Sequence, residues 1–133
     1  MDVNNDSIKL NIKNSLEKFY FEYEIDNDGD FYVTSGLEIP FWVSLTPDEK
    51  YVRIFTFIRV KENSDESGLN SLSNNINFTY FPNSVYHHDG KLWSSYYIPV
   101  IEGFQERTFV EMMRKCISGF TSGVRNLDEN DLI

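Results

Sequence analysis

The sequence predicts an α+β fold with two layers, in which an antiparallel sheet carries helices on one of its faces. Apolar residues recur every three or four positions near both ends of the chain, which is typical of helices that bury one side. Most segments between them alternate apolar and polar residues, as strands do. Short turns join these strands, and tight turns connect antiparallel neighbours. The predicted order of elements is α-β-β-β-β-α-β-β-α.

The opening helix is predicted over residues 6–18, where four apolar residues form one stripe: Ile8, Ile12, Leu16 and Phe19. Asn4, Asn5 and Asp6 at its start are good helix caps. The apolar period then changes to two, so residues 21–25 are predicted to be a strand. Its wet face carries acidic residues: Glu22, Glu24 and Asp26. A turn at residues 26–29 leads to the return strand, whose first apolar residues are Phe31 and Val33.

Two further strands are predicted at residues 41–45 and 51–60, and the second has the strongest alternation in the chain. One face of this strand is aliphatic, with Val52, Ile54, Ile58 and Val60. The opposite face carries Phe55 and Phe57, flanked by Arg53 and Arg59. Both faces of this strand are therefore largely apolar.

The second half of the chain begins with a short helix predicted over residues 65–74, with Leu69, Leu72 and Ile76 at spacings of three and four. We expect a strand over residues 77–81 and 85–88, with a bulge at Pro82-Asn83. Asp89-Gly90 is a strong hairpin signal, and its partner strand spans residues 91–100.

The closing helix is predicted over residues 105–122, with its buried stripe made of Phe109, Met113, Cys116, Ile117 and Phe120. Residues 124–133 are polar, and we expect them to be a frayed tail after an ordered part at about residues 6–123. The chain shows no internal repeat or linker, so residues 1–133 are predicted to form one domain.

This pattern resembles the YbjN-like family, bacterial proteins described as sensory transduction regulator-like. The resemblance spans about residues 9–123 and rests on five features: the opening helix leading into residues 23–29, the Leu69/Leu72 helix closing on Asn74-Asn75, the hairpin at residues 89–92, the strand ending at residues 97–100 and the amphipathic closing helix. The middle helix departs from the family in being rich in Ser and Asn. The resemblance implies a fold similar to type III secretion chaperones, a homodimer, and a regulatory or chaperone-like role without catalytic residues.

The charge balance of the chain limits its partners. Asp and Glu number 21 against 12 Lys and Arg, which gives a net charge of −9. Such a chain repels phosphate backbones, and we see no basic cluster to override this, so nucleic acid and anionic membranes are not expected partners. The single cysteine excludes an intrachain disulfide, and the N-terminus lacks the pattern of a signal peptide. We therefore expect a cytosolic (cytoplasmic) protein.

Three groups of residues suggest chemistry, and each has a plainer explanation. The acidic turn at residues 24–29 matches half of a calcium loop, but Ser35 stands where a bidentate Glu is required. His87 and His88 are neighbours on a strand, so they point to opposite faces and do not share a metal easily. Cys116 lies on an apolar stripe, which indicates a core residue. We therefore predict no catalytic residue, no metal site and no cofactor.

The second face of the predicted sheet is the most informative feature. A sheet covered by helices on one face should carry polar residues on the other. Instead, Trp93 and Tyr97 on the last strand point to the same side as Phe55 and Phe57. Exposed rings in one patch usually mark an interface, and arginine is enriched in interfaces. We therefore predict a partner-binding surface made of these rings with Arg53 and Arg59.

Three functions are compatible with these observations. The leading hypothesis is a non-catalytic protein-binding module, regulatory or chaperone-like, which uses the aromatic face for dimerisation or partner binding. The second is an acidic immunity or antitoxin-type protein that masks a basic toxin. The third is a small-molecule pocket near Tyr80, His87 and Trp93. If the chain's own helices already buried these rings, the hypothesis of a protein-binding module would lose its basis.

Overall fold

The computed structural model describes residues 3–80, 82–129 and 131–133, and its elements follow the predicted order. Six strands form one antiparallel sheet with the strand order β1-β2-β3-β4-β6-β5. The predicted fold class is therefore confirmed. The helices and strands have these bounds: α1 Val3–Lys18, β1 Tyr23–Ile25, β2 Phe31–Val33, β3 Phe41–Leu45, β4 Tyr51–Arg59, α2 Glu66–Thr79, β5 Ser84–His88, β6 Lys91–Pro99 and α3 Glu106–Leu127.

Helices α1 and α3 cover the sheet on one face and build the main core with it. Ile12 and Leu16 of α1 and Met113 of α3 are fully buried there. They pack against alternate residues of the four central strands: Phe31, Val33, Phe41, Val43, Val52, Ile54 and Ile98. This face is the aliphatic face that the alternation predicted. Each fully buried side chain of this size contributes about 1.5–3 kcal/mol through the hydrophobic effect.

Helix α2 and the far end of α3 build a second apolar cluster against β5 and β6. Leu72 and Ile76 of α2 contact Phe120 of α3, Val85 and Leu92 in this cluster. Two buried hydroxyls near the centre of the sheet are satisfied: Thr56 Oγ1 donates to the Pro40 carbonyl at 2.8 Å, and Ser94 Oγ donates to Asn83 Oδ1 at 3.0 Å.

The end of α2 corrects one prediction. Residues 77–79 were expected to start a strand that continues after Pro82-Asn83, but α2 runs to Thr79 and β5 begins at Ser84. Phe81 lies outside the described residues. The helix continues because Ile76 extends the buried stripe of α2. The ring of Phe78 lies outside this stripe and is 93% exposed. The amide of Asn77 also holds the helix end to β5, since it donates to the Val85 carbonyl at 2.9 Å and accepts from the Val85 N–H at 2.6 Å.

The two ends of the chain also differ from expectation. Helix α1 begins at Val3 rather than near Asp6, and the side chains of the predicted caps Asn4, Asn5 and Asp6 lie outside the described part. Helix α3 was predicted to end at Ser122, and it continues to Leu127. Beyond it, the Asp128 carboxylate accepts from the N–H groups of Leu132 and Ile133 at 2.9 and 3.0 Å, and the Leu132 side chain is buried. Of the described helices, none is long and apolar enough to cross a bilayer.

The connection between β2 and β3 depends on Gly36. Its φ is +115°, a region that residues with a Cβ rarely adopt. A Cβ placed on it would lie 2.2 Å from Cδ1 of Phe21, a buried ring that packs edge-on to Phe41. Both the backbone and the space therefore require glycine here.

We predict that Gly36→Ala lowers the free energy of unfolding by about 2–4 kcal/mol, because backbone strain and a steric clash add. Gly103→Ala is the matched control, since Gly103 has a φ of +111° and its Cβ would meet nothing within 4 Å. That control should cost only about 1 kcal/mol. Urea unfolding of both variants measures the difference, and equal losses would contradict a role for the Phe21 clash.

Candidate binding face

The face of the sheet that points away from the helices is called the open face below. One row crosses it from β1 to β6, in the order Glu24, Tyr32, Trp42, Phe55 and Ser95, each paired with the next across neighbouring strands. A second row joins Phe57, Trp93 and Tyr86, a third joins Arg53 to Tyr97, and a fourth joins Arg59 to Lys91. These residues stand on one side because side chains alternate along every strand.

Five rings of the open face form one continuous stack: Tyr32, Trp42, Phe55, Phe57 and Trp93. Trp42 lies at its centre, with ring centroids 4.7 Å from Tyr32, 5.6 Å from Phe55 and 5.7 Å from Phe57. Phe57 continues the stack to Trp93 at 5.0 Å. Ring pairs at such separations contribute about 0.5–1.5 kcal/mol each beyond their buried area. The ring set is therefore fixed in place by its own contacts.

Three cations lie over this stack. The Arg53 guanidinium carbon is 4.1 Å from the Phe55 ring centroid, and that of Arg59 is 6.0 Å from Phe57. The Lys91 Nζ is 4.6 Å from the Phe57 centroid and 5.7 Å from that of Trp93. These distances suit cation–π attraction, so the charges are held over the rings.

The chain's own helices do not cover these rings. Within the described part of the chain, the two apolar clusters that contain the helices include none of Tyr32, Trp42, Phe55, Phe57, Trp93 and Tyr97. Most of these rings are half-buried by one another and by the cations, and Tyr97 is 48% exposed. In the described residues the rings are therefore not buried under the chain's own helices, and the binding-face hypothesis keeps its basis.

The structure brings all six predicted partner-binding residues onto one face: Phe55, Phe57, Trp93, Tyr97, Arg53 and Arg59. Their role in binding remains a prediction. The sequence reasoning missed Tyr32, Trp42 and Lys91, although Trp42 stands at the centre of the stack. The sequence did contain a signal for Trp42. It lies between Phe41 and Val43 on a strand, and because both of these are core residues, Trp42 faces the other side of the sheet.

Two donors on the open face lack acceptors. Arg53 Nε and Trp93 Nε1 are buried among their neighbours and have no hydrogen-bond partner in the described structure. The Arg53 side chain makes one hydrogen bond, from Nη2 to Ser95 Oγ at 3.3 Å. A buried donor without an acceptor costs about 1–3 kcal/mol.

The pocket hypothesis is not supported by the placement of its three residues. Tyr80 follows α2 and packs with the helical layer, where its hydroxyl accepts from Asn126 Nδ2 at 2.9 Å. Trp93 lies in the ring stack on the opposite side of the sheet. His87 is half-buried on β5, one residue from His88, which pairs with Asp89 at 3.1 Å. Because the sheet separates Tyr80 from Trp93, the three do not line one cavity.

The acidic turn between β1 and β2 gathers three carboxylates. Ligand atoms of Asp26, Asp28 and Asp30 lie within 4.8 Å of one another. Asp26 Oδ1 accepts from the N–H groups of Asp28 and Asp30 at 3.0 and 2.9 Å, which builds the turn itself. Strands flank the turn, unlike the helices of a calcium loop, so we describe it as a hairpin turn.

Burial raises the pKa of the Asp30 carboxyl above its ordinary value of 3.8, and the charges of Asp26 and Asp28 raise it further. Lys9 and Arg53 oppose this shift. A carboxyl whose pKa is raised by folding destabilises the fold when it is charged. This cost is present near neutral pH and disappears as the pH falls through the folded value toward the unfolded one.

We predict that Asp30→Asn raises the melting temperature at about pH 7 and has no effect below about pH 3, where Asp30 is protonated in both states. The substitution keeps the turn, because the hydrogen bonds at this position use the Asp30 backbone. Glu62→Gln removes one charge at an exposed site and controls for net charge. A melting temperature that falls at neutral pH would contradict this account, and scanning calorimetry at both pH values decides it.

Cys116 lies inside the main core, as its position on the α3 stripe predicted. Desolvation by burial raises the pKa of its thiol from 9.0 to about 12. Since the thiolate is the reactive form, this cysteine is unsuited to nucleophilic chemistry.

We predict that a disulfide reagent such as dithiobis-nitrobenzoate labels the folded protein very slowly at about pH 8. A pKa higher by three units leaves roughly a thousandfold less thiolate, and burial also blocks access. The same reagent in guanidinium should label Cys116 within the mixing time. Rapid labelling of the folded chain would show that the thiol is accessible.

Comparisons with known proteins give a likeness of fold. No family model matches the sequence, and no curated protein matches it. The structure is similar to the crystal structure of YbjN, a candidate transcription regulator from E. coli, with a TM-score of 0.72 over 91% of each chain and 14% sequence identity. The resemblance drawn from the sequence is thus confirmed at the level of the fold, and the chain has a YbjN-like fold.

Proposed function

We propose that this chain is a non-catalytic binding module, regulatory or chaperone-like, which acts in the cytosol and uses its open face to hold another protein or a second copy of itself. The observation that carries the proposal is the uncovered ring stack centred on Trp42, with cations held above it. We also propose that residues 1–133 act as one domain.

A partner on this face would remove apolar surface from water. Covering apolar surface is favourable by about 25 cal/mol for each Å² removed from water. The rings are already packed on one another, so a partner would not have to order them, which lowers the entropy cost of binding. Large aromatic residues and arginine are also the residue types that contribute most to binding energy in interfaces.

The remaining observations are compatible with this role. The YbjN-like fold is shared with a candidate regulator. A net charge of −9 opposes direct binding to nucleic acid, so a regulatory role would act through protein contacts. The buried thiol of Cys116 is unsuited to act as a nucleophile, because desolvation raises its pKa to about 12.

Site-specific photo-cross-linking in the native host tests the proposal. A photoreactive phenylalanine analogue replaces Tyr97 on the open face, or Phe78 on α2 as the matched control, since both positions are exposed aromatic residues. We expect a discrete cross-linked product from position 97, because the partner covers it, and none from position 78. Mass spectrometry of the product shows whether it contains another protein or a second copy.

Adding Phe57→Asp to the Tyr97 variant should abolish the product, since a carboxylate in the stack prevents its burial. Circular dichroism confirms that this variant is folded. Equal yields at positions 97 and 78, or a product that survives Phe57→Asp, would refute binding at the open face. If neutralising Asp26, Asp28 and Asp30 abolishes the product while Phe57→Asp does not, the immunity-type hypothesis is favoured instead.

A further inference from the structure

We infer that the open face takes an acidic segment of a partner protein, in which Asp or Glu residues flank apolar side chains. This inference rests on the proposed function and specifies the chemistry of its partner. Two observations lead to it: the sign of the charges at the centre of the face and their lack of carboxylate partners.

The charges at the centre of the open face oppose the balance of the whole chain. Acidic residues outnumber basic ones by 21 to 12 overall. Yet the outward positions of the two long strands β4 and β6 carry three cations, Arg53, Arg59 and Lys91, and no carboxylate. Their other outward residues are rings, Ser95 and Pro99. The centre of the face is therefore a basic and aromatic strip on an acidic protein.

None of these three cations forms an ion pair within the described residues, whereas ion pairs occur elsewhere on the surface. The nearby carboxylates belong to the edges of the face. Arg53 lowers the pKa of Asp30 through its charge without lying within 4.0 Å of it, and Asp89 in the β5–β6 turn pairs with His88. The charges of Arg53, Arg59 and Lys91 are thus available to attract a ligand of opposite charge.

The geometry of the strip suits carboxylates. A guanidinium that lies on a ring keeps the N–H groups at its edge free, and that edge binds a carboxylate through two hydrogen bonds. Arg59, at an exposed position 6.0 Å from the Phe57 ring centroid, offers this edge, whereas Arg53 has its Nε buried and its Nη2 bonded to Ser95 Oγ. The rings between the cations supply the apolar contact.

A second copy of the chain fits this strip less well. A symmetric dimer brings the same patch of both copies together. Here that arrangement would place the unpaired cations of one copy near those of the other, and like charges across an interface are unfavourable. A partner of the opposite charge avoids this cost.

A random peptide library displayed on phage and selected on the full chain tests the inference. We expect enrichment of peptides with Asp or Glu on both sides of aromatic or aliphatic residues. Both tryptophans of the chain, Trp42 and Trp93, lie on the open face, so their fluorescence reports the binding of a selected peptide without a label. The affinity should fall at least tenfold as the salt rises to about 1 M, where the Debye length is about 3 Å.

Charge reversal distinguishes this inference from the proposed function. Arg59→Glu, at an exposed position, and Lys91→Glu should each weaken binding about tenfold or more, whereas Lys13→Glu on α1 makes the same charge change away from the face and should have no effect. Selected peptides that are neutral or basic, or that ignore both reversals, would overturn the acidic partner. If Phe57→Asp still removes their binding, the binding module stands while its proposed ligand chemistry fails.

Two further outcomes count against the inference. Light scattering that shows a dimer of the unmodified chain, converted to monomer by Phe57→Asp, would mean that a second copy occupies the face. A selection that yields no peptide above background would also refute an acidic segment as the ligand. In either case the cross-linking experiment judges the binding module independently.

Discussion

The structure depends on one constraint: side chains alternate across a strand, while the described chain supplies helices for one face of its sheet. On β4, the odd-numbered residues are rings and arginines, while Val52 and Ile54 pack beneath α1 and α3 and Ile58 packs against the second cluster. Shifting this strand by one residue would put Arg53 and Arg59 into the core and expose Val52 and Ile54, so its register is strongly determined. The burial of one face therefore dictates the exposure of the other.

The exposed face has its own internal order. Trp42 contacts rings from β2 and β4, and Phe57 links the stack to β6, so ring contacts tie the central strands together on the side opposite the helices. The charged ends of Arg53 and Lys91 lie over these rings and cover part of them. This arrangement explains how a face so rich in rings remains compatible with water, and why it still offers surface to a partner.

Much of the fold could be predicted from residue patterns, and the failures have physical causes. Alternation identified β4 and β6 and both of their faces, and the Asp89-Gly90 turn located the hairpin that joins β5 to β6. A strand was expected to begin at residue 77, but α2 continues to Thr79, held by Ile76 and the amide of Asn77. Such long-range contacts override local propensity. Trp42 was missed because the four predicted rings were read from two strands, whereas the stack spans four.

The hydrogen bonds of Asn77 have a consequence for how copies of this chain meet. β5 pairs with β6 on one side, and the backbone of Val85 points to the other side, where a foreign strand could add. The side chain of Asn77 already occupies both the N–H and the C=O of Val85, as another strand's backbone would. A single amide thus occupies the backbone of Val85 and hinders the addition of a foreign strand at this point of the β5 edge.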